Sequence, residues 1–243
     1  MHSPVIGEFA GTLVLILLGD GVVANVLLKR SKGEGAGWMV ITTAWGFAVF
    51  CGILTAIAFG SSDAHLNPAV TLAFAITSGS YAKIVPYWTA QFLGAFTGAT
   101  LVWLYFLPHW KFTEDRDAKL ACFCTTPAIR HYPGNLFCEV IGTMLLIIVV
   151  AAIGSKALAA NGLTAGLGPY FVAMLVWAIG LSLGGTTGYA INPARDFGPR
   201  VAHTLWPIAG KRDSDWSYAA IPIAGPLLGA AIAGVIIKAA GIV

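Results

Sequence analysis

Three sets of residues in this 243-residue chain have the type and spacing to do chemistry. One is a pair of Asn-Pro-Ala tripeptides: Asn67, Pro68 and Ala69 in "AHLNPAVTL", and Asn192, Pro193 and Ala194 in "GYAINPARDFGPR". Another is Arg195, which with Asp196 follows an apolar run, Gly162 to Ile191, that holds no charge. The last is a pair of carboxylates, Glu8 and Glu139, each inside an apolar stretch. A charge at membrane depth costs roughly 2.5 kcal/mol or more on insertion scales, so each of these needs a purpose.

Asparagine is a good N-cap and proline is favoured at the first helical position, where its missing N–H would be unpaired anyway. Each tripeptide therefore reads as the start of a helix. The apolar pieces they open, about 68–78 and about 193–204, are too short to cross a bilayer. Two such starts meeting at mid-membrane would face each other with roughly half a positive charge apiece. That field, with the Asn67 and Asn192 amides as donors, admits a neutral hydroxyl or water oxygen and repels cations. The backbone before each start must be non-helical and satisfied within the protein. The carbonyls of Asp63, Ala64, His65, Gly188, Tyr189 and Ala190 can serve as acceptors along the path. His65 reads as a loop anchor. Glu8 and Glu139 have two readings, proton carriers of a coupled transporter or acceptors that pin the re-entrant loops; their matched positions favour the second. Asp20 reads as a solvated or paired residue near one end of the first span. No nucleophile–base pair or metal-binding spacing converges, so neither a catalytic residue, a metal nor a cofactor is expected. The four cysteines are Cys51, Cys122, Cys124 and Cys138; the Cys122-x-Cys124 pair falls in a polar loop where it could be oxidised, but scattered free thiols are the favoured reading.

The elements that must position these residues follow from composition. The chain is 57% hydrophobic and 10% charged, with mean hydropathy +0.78. Soluble domains carry about 25% charge, so this is a membrane protein. A net charge of +3, lying mostly in connections, gives no footprint for nucleic acid. Segments of roughly 20 apolar residues span the hydrocarbon. They lie at about 4–28, 38–60, 84–107, 135–155, 163–184 and 217–240. The first reads as a retained span and not as a removed signal.

The halves repeat. "GEFAGTLVLIL" (7–17) parallels "CEVIGTMLLII" (138–148), matching Glu8 with Glu139; "HLNPAV" parallels "AINPAR"; "AQFLGAFTGA" (90–99) parallels "GPLLGAAIAG" (225–234). Residues 1–107 and 134–243 each hold three spans and one short piece, joined by 108–133. Three is odd, so the second half enters from the opposite side, and a site near the midplane is expected. The expected fold is an all-α membrane protein of six transmembrane helices and two re-entrant half-helices in an inverted repeat. Charge bias gives an orientation. The N-terminal side would hold Lys83, Lys156 and Lys238. The other side would hold a larger group including Lys29, Arg30, Lys32, Lys211 and Arg212, which argues for an outside N-terminus.

On "GEFAGT", "AHLNPAV", "AQFLGAFTGA", "CEVIGT" and "INPARDFGPR", the chain resembles the major intrinsic proteins, the aquaporin superfamily, over nearly its whole length. Asp196 directly after Arg195 and the segment "CFCTTPAIRHYPGN" resemble the glycerol facilitators among them. The resemblance implies a selectivity filter of Trp45, Gly180, Tyr189 and Arg195, with glycine where water-selective members usually carry histidine and tyrosine where phenylalanine is often found. It implies that Asp196 braces its loop. It also implies a passive channel for glycerol and other small neutral solutes with water, a homotetramer in the lipid bilayer of the cell membrane, and both termini in the cytoplasm, against the charge count. A mainly water-conducting channel and a proton-coupled transporter using Glu8 or Glu139 are the alternatives.

Overall fold

The computed structural model describes residues 2–158, 163–164 and 166–242. Among them are nine α-helices: α1 (Pro4–Leu27), α2 (Trp38–Ala58), α3 (Pro68–Ser78), α4 (Ile84–Tyr105), α5 (Arg116–Ala121), α6 (Tyr132–Ile153), α7 (Leu167–Leu183), α8 (Pro193–Leu205) and α9 (Ala220–Ala240). The six expected spans correspond to α1, α2, α4, α6, α7 and α9, and the two short pieces to α3 and α8. Of the fifth expected span, 163–184, Ala165 lies outside the described residues. The connection 108–133 holds structure that its polar composition does not suggest, a 3-10 turn at Trp110–Phe112 and α5.

Local chemistry sets the helix starts. The Ser3 hydroxyl accepts from the Ile6 amide at 3.2 Å, with Pro4 opening α1. Asn67 and Asn192 cap α3 and α8, each followed by its proline. α3 stops at Gly79, whose backbone is left-handed (φ 76°), the conformation that closes many helices at glycine.

The packing is reciprocal. α1 lies against α2 and α4, and α6 against α7 and α9. Across the halves α2 meets α7, while each short helix leans on the other half's last span, α3 on α9 and α8 on α4. Close backbone approach makes this possible, the usual device where helices associate in lipid. A Cβ at Gly94 would lie 2.4 Å from the Phe9 carbonyl oxygen, and one at Gly229 would lie 2.5 Å from that of Val140. Outward, α2, α4, α6 and α9 present Phe47, Leu93, Phe137 and Val235, each more than half exposed. Such a surface suits acyl chains and not water. The protein is an all-helical integral membrane protein.

Candidate functional site

α3 and α8 meet start to start. The Asn67 Nδ2 donates to the Ile191 carbonyl at 2.8 Å, and the Asn192 Nδ2 donates to the Leu66 carbonyl at 2.9 Å. Each asparagine thus bonds the residue that precedes the other. The Oδ1 of Asn67 accepts from the Ala69 amide at 2.8 Å. The Oδ1 of Asn192 accepts from Ala194 at 3.0 Å and Arg195 at 3.3 Å. A carboxamide has two N–H donors, so each asparagine keeps one for the space beside it. The side-chain oxygens cap the helices and fix the direction of those donors.

The chain before each asparagine is strained in the same way. Ala64 and Leu66 have φ of 39° and 52°; Tyr189 and Ile191 have 38° and 42°. Left-handed backbone at a non-glycine residue costs roughly 1–3 kcal/mol and persists only where the surroundings impose it. Here the carboxylates impose it. Glu8 accepts from the His65 amide (2.8 Å), the Leu66 amide (2.7 Å), the Ser61 hydroxyl (2.7 Å) and the Gln91 carboxamide (2.7 Å). Glu139 accepts from the Ala190 amide (3.0 Å), the Ile191 amide (2.8 Å) and the Thr187 hydroxyl (2.6 Å). With these N–H groups turned to glutamate, the alternate peptide oxygens turn the other way.

A cavity of about 840 Å³ runs from Ser80 and Lys83 at one face to Trp45, Tyr189 and Arg195. Asp63, Ala64, His65, Tyr189 and Ala190 border it, as do Asn67 and Asn192. Gly188 does not border it. Val49, Ile53, Leu146, Val150, Val172 and Val176, from α2, α6 and α7, line it too. The lining therefore combines loop residues and amide donors with aliphatic side chains. His65 is held at the lining, its Nδ1 3.1 Å from the Thr71 hydroxyl and its ring stacked on Phe74. Asp63 at the mouth pairs with Lys83 and accepts from the Tyr87 hydroxyl at 2.8 Å.

At the far end the Arg195 guanidinium lies 4.3 Å from the centroid of a Trp45 ring. Gly180 is not on the cavity wall: a Cβ there would stand 2.8 Å from Tyr189 Cζ. The missing side chain is the space the tyrosine ring fills. Gly184 is similar, since its Cβ would lie 2.5 Å from Tyr189 Cδ1. Trp38 closes the far side of that ring edge-on at 6.0 Å, and its indole N–H donates to the Gly180 carbonyl at 3.1 Å.

Asp196 does not touch Arg195's guanidinium. It accepts from the Thr125 amide (2.8 Å) and hydroxyl (2.7 Å) and from Arg200 (2.8 and 3.0 Å). Arg200, fully buried, also donates to the carbonyls of Thr125, Ser214 and Asp215. It ties α8 to both flanking loops. The i, i+4 spacing of Asp196 and Arg200 was the one signal for it. Outside the membrane, Asp215 pairs with Arg130 and accepts from the Ser217 hydroxyl at 3.0 Å. Burial raises its carboxyl, but the Arg130 and Ser217 hydrogen bonds outweigh burial and leave it below the usual carboxylate range.

Asp20, read as solvated or paired near one end of the first span, is the paired case: it is fully buried, 3.9 Å from an Arg195 nitrogen. The connection 108–133 is the cause, because it folds over the end of α1: the Thr113 hydroxyl accepts from the Lys29 amide at 2.9 Å, and Leu28 is buried. Cys122 and Cys124 belong to this plug and are buried free thiols, not members of a solvated loop.

A membrane-embedded cavity that leads to two facing helix starts, lined by loop polar groups and aliphatic side chains, defines a channel-type protein. The sequence pattern described as "Major intrinsic protein" matches residues 1–237, and the chain belongs to that family. It is 58% identical to the "Probable glycerol uptake facilitator protein" of Thermotoga maritima, over 93% of this chain and 94% of that one. It is 52% identical to "Glycerol uptake facilitator protein 3" of Lactiplantibacillus plantarum, over 93% and 92%. The X-ray structure of the aquaglyceroporin from Plasmodium falciparum superposes with a TM-score of 0.82 at 29% identity, covering 96% of this chain and 94% of that one.

Proposed function

We propose that this protein is a passive channel for glycerol and other small neutral solutes, with water, that excludes ions and protons. The observation that carries this is the cavity lined by both loop polar groups and aliphatic side chains, which leads to the facing asparagines. A polyol has hydroxyls along one edge and C–H groups along the other. The hydroxyls bond the loop carbonyls, the free N–H of Asn67 and Asn192, and Arg195. The carbons slide along Val49, Ile53 and Val176 and past the rings of Trp45 and Tyr189. In this reading Trp45, Tyr189 and Arg195 form the selectivity filter, and Gly180 sets its width by where it lets Tyr189 sit. The facing helix starts and Arg195 repel cations. Glu8 and Glu139 are loop braces, their acceptor sites occupied by backbone and side-chain donors. Asp196 braces α8 through Thr125 and Arg200.

We read 1–107 and 134–243 as the two inverted repeats, joined by 108–133. Four copies assemble as a homotetramer with a pore in each, and both termini lie in the cytoplasm. The opposing charge excess is largely committed to loop structure. Arg130 pairs with Asp215, Arg212 with Asp117, and Lys29 with Glu34, while Lys211 donates to the carbonyls of Thr204 and Trp206. The charge rule is a statistical bias, and it is weak for loops that fold together with re-entrant helices.

The test is uptake of labelled glycerol into proteoliposomes with and without an imposed proton gradient. A channel equilibrates glycerol to the outside concentration in both cases. Accumulation above that level, driven by protons, would replace this reading with a coupled transporter.

A further inference from the structure

Asp20 has no role in the conduction path proposed above, yet it is the least ordinary carboxylate in the molecule. It is fully buried, and neither of its oxygens has a hydrogen-bond partner among the described residues. Arg195 mirrors it: one terminal nitrogen is buried and equally without a partner. These atoms are 3.9 Å apart, and Arg195 is the one cation among the described residues within ion-pair reach of Asp20. Asp196, next in sequence to Arg195, is committed to Thr125 and Arg200. The charge of Arg195 is thus opposed from the first helix and not from its own loop.

The residue before Asp20 makes the same point. A Cβ at Gly19 would stand 2.4 Å from Trp45 Cζ3, so glycine lets the Trp45 ring lie directly on α1. Arg195 covers a ring of that indole at 4.3 Å. Gly19 and Asp20 therefore back two members of the filter with one dipeptide. Removing one partner of a buried ion pair leaves an uncompensated charge, and the long Arg195 side chain would then have no fixed electrostatic anchor.

We propose that Asp20 is the positioning residue of Arg195: its carboxylate holds the guanidinium over Trp45 and offsets its charge, so that selection between glycerol and water at Arg195 depends on Asp20. This rests on the reading of Trp45, Tyr189 and Arg195 as the filter. Asp20 touches no solute in this scheme and acts only through Arg195.

A double-mutant cycle tests it. The glycerol-to-water permeability ratio is measured in proteoliposomes for wild type, Asp20→Asn, Arg195→Val and the double variant. Asp20→Asn is expected to shift the ratio about threefold or more, within the coupling range of contacting residues, and to shift nothing in the Arg195→Val background. If Arg195→Val leaves the ratio unchanged, the filter reading itself is wrong. If Arg195→Val shifts the ratio, but Asp20→Asn shifts nothing or shifts it equally in both backgrounds, Asp20 does not act through Arg195 and the proposal falls. If Asp20→Asn yields no folded protein, the melting temperature of the double variant decides. Recovery of folded protein on adding Arg195→Val supports the pairing, and failure to recover overturns it.

Discussion

Replacing Glu139 with glutamine alters one atom and should unfasten one pore loop. The carboxylate serves three donors, Thr187 and Ala190 on Oε1 and Ile191 on Oε2. Glutamine keeps one acceptor and turns the other into an NH2 group. Placed at Oε2, that group faces the Ile191 N–H; placed at Oε1, it faces the Ala190 N–H. Either way one buried backbone donor loses its acceptor, at about 1–3 kcal/mol. The surviving bonds fall from charge-assisted to neutral, about 1 kcal/mol each. The sum is about 2–5 kcal/mol, lessened by no longer burying a full charge. That is comparable with the roughly 1–3 kcal/mol each that Tyr189 and Ile191 require for their left-handed backbone. The loop should therefore relax before the bundle unfolds. We expect Glu139→Gln to lower the melting temperature and to cut glycerol flux in stopped-flow, with the residual flux indifferent to a proton gradient. Unchanged stability and unchanged flux would refute the brace. So would a wild-type proton-coupled uptake that this variant abolishes.

Gly180→His places a ring where Tyr189 now sits, so glycerol flux should fall far more than water flux; equal losses in a folded channel would put the constriction elsewhere. Arg195→Val leaves the helix-end fields of α3 and α8 in place but removes the filter cation. It should still pass glycerol while leaking protons or small cations under voltage clamp, and an electrically silent variant would show that Arg195 is dispensable for exclusion. Asp215, lowered from its ordinary 3.8, contributes stability above that value and loses it as pH falls through its folded value. Thermal melts of the wild type should therefore lose stability below about pH 4, and Asp215→Asn, less stable at neutral pH by about 1 kcal/mol, should lose less across that window. Equal acid sensitivity of the two would exclude the Arg130 pair as a source.

Much of this site was legible because backbone rules wrote it. Asn-Pro fixes a helix start by capping and by a missing N–H, so α3 begins and ends where the pattern places it, and α8 ends within a residue. The repeat was legible because Glu8 and Glu139 recur beside the same small residues. What escaped depends on contacts between distant segments. No local signal marks Ala64 or Ile191 as left-handed, since the strain is imposed by glutamates more than fifty positions away in sequence. Asp20 looked like an end residue because hydropathy sees only its own helix, while the covering segment comes from 108–133. Trp38 looked like the first turn of a span, yet its indole reaches Gly180 on α7.

Passive glycerol conduction is tested by stopped-flow light scattering of proteoliposomes under glycerol, urea and sorbitol gradients. A passive glycerol channel gives rapid shrinkage in all three, then fast re-swelling in glycerol with a low activation energy and none in sorbitol. Water-driven shrinkage faster than that of empty liposomes, with glycerol re-swelling no faster than theirs, would contradict it.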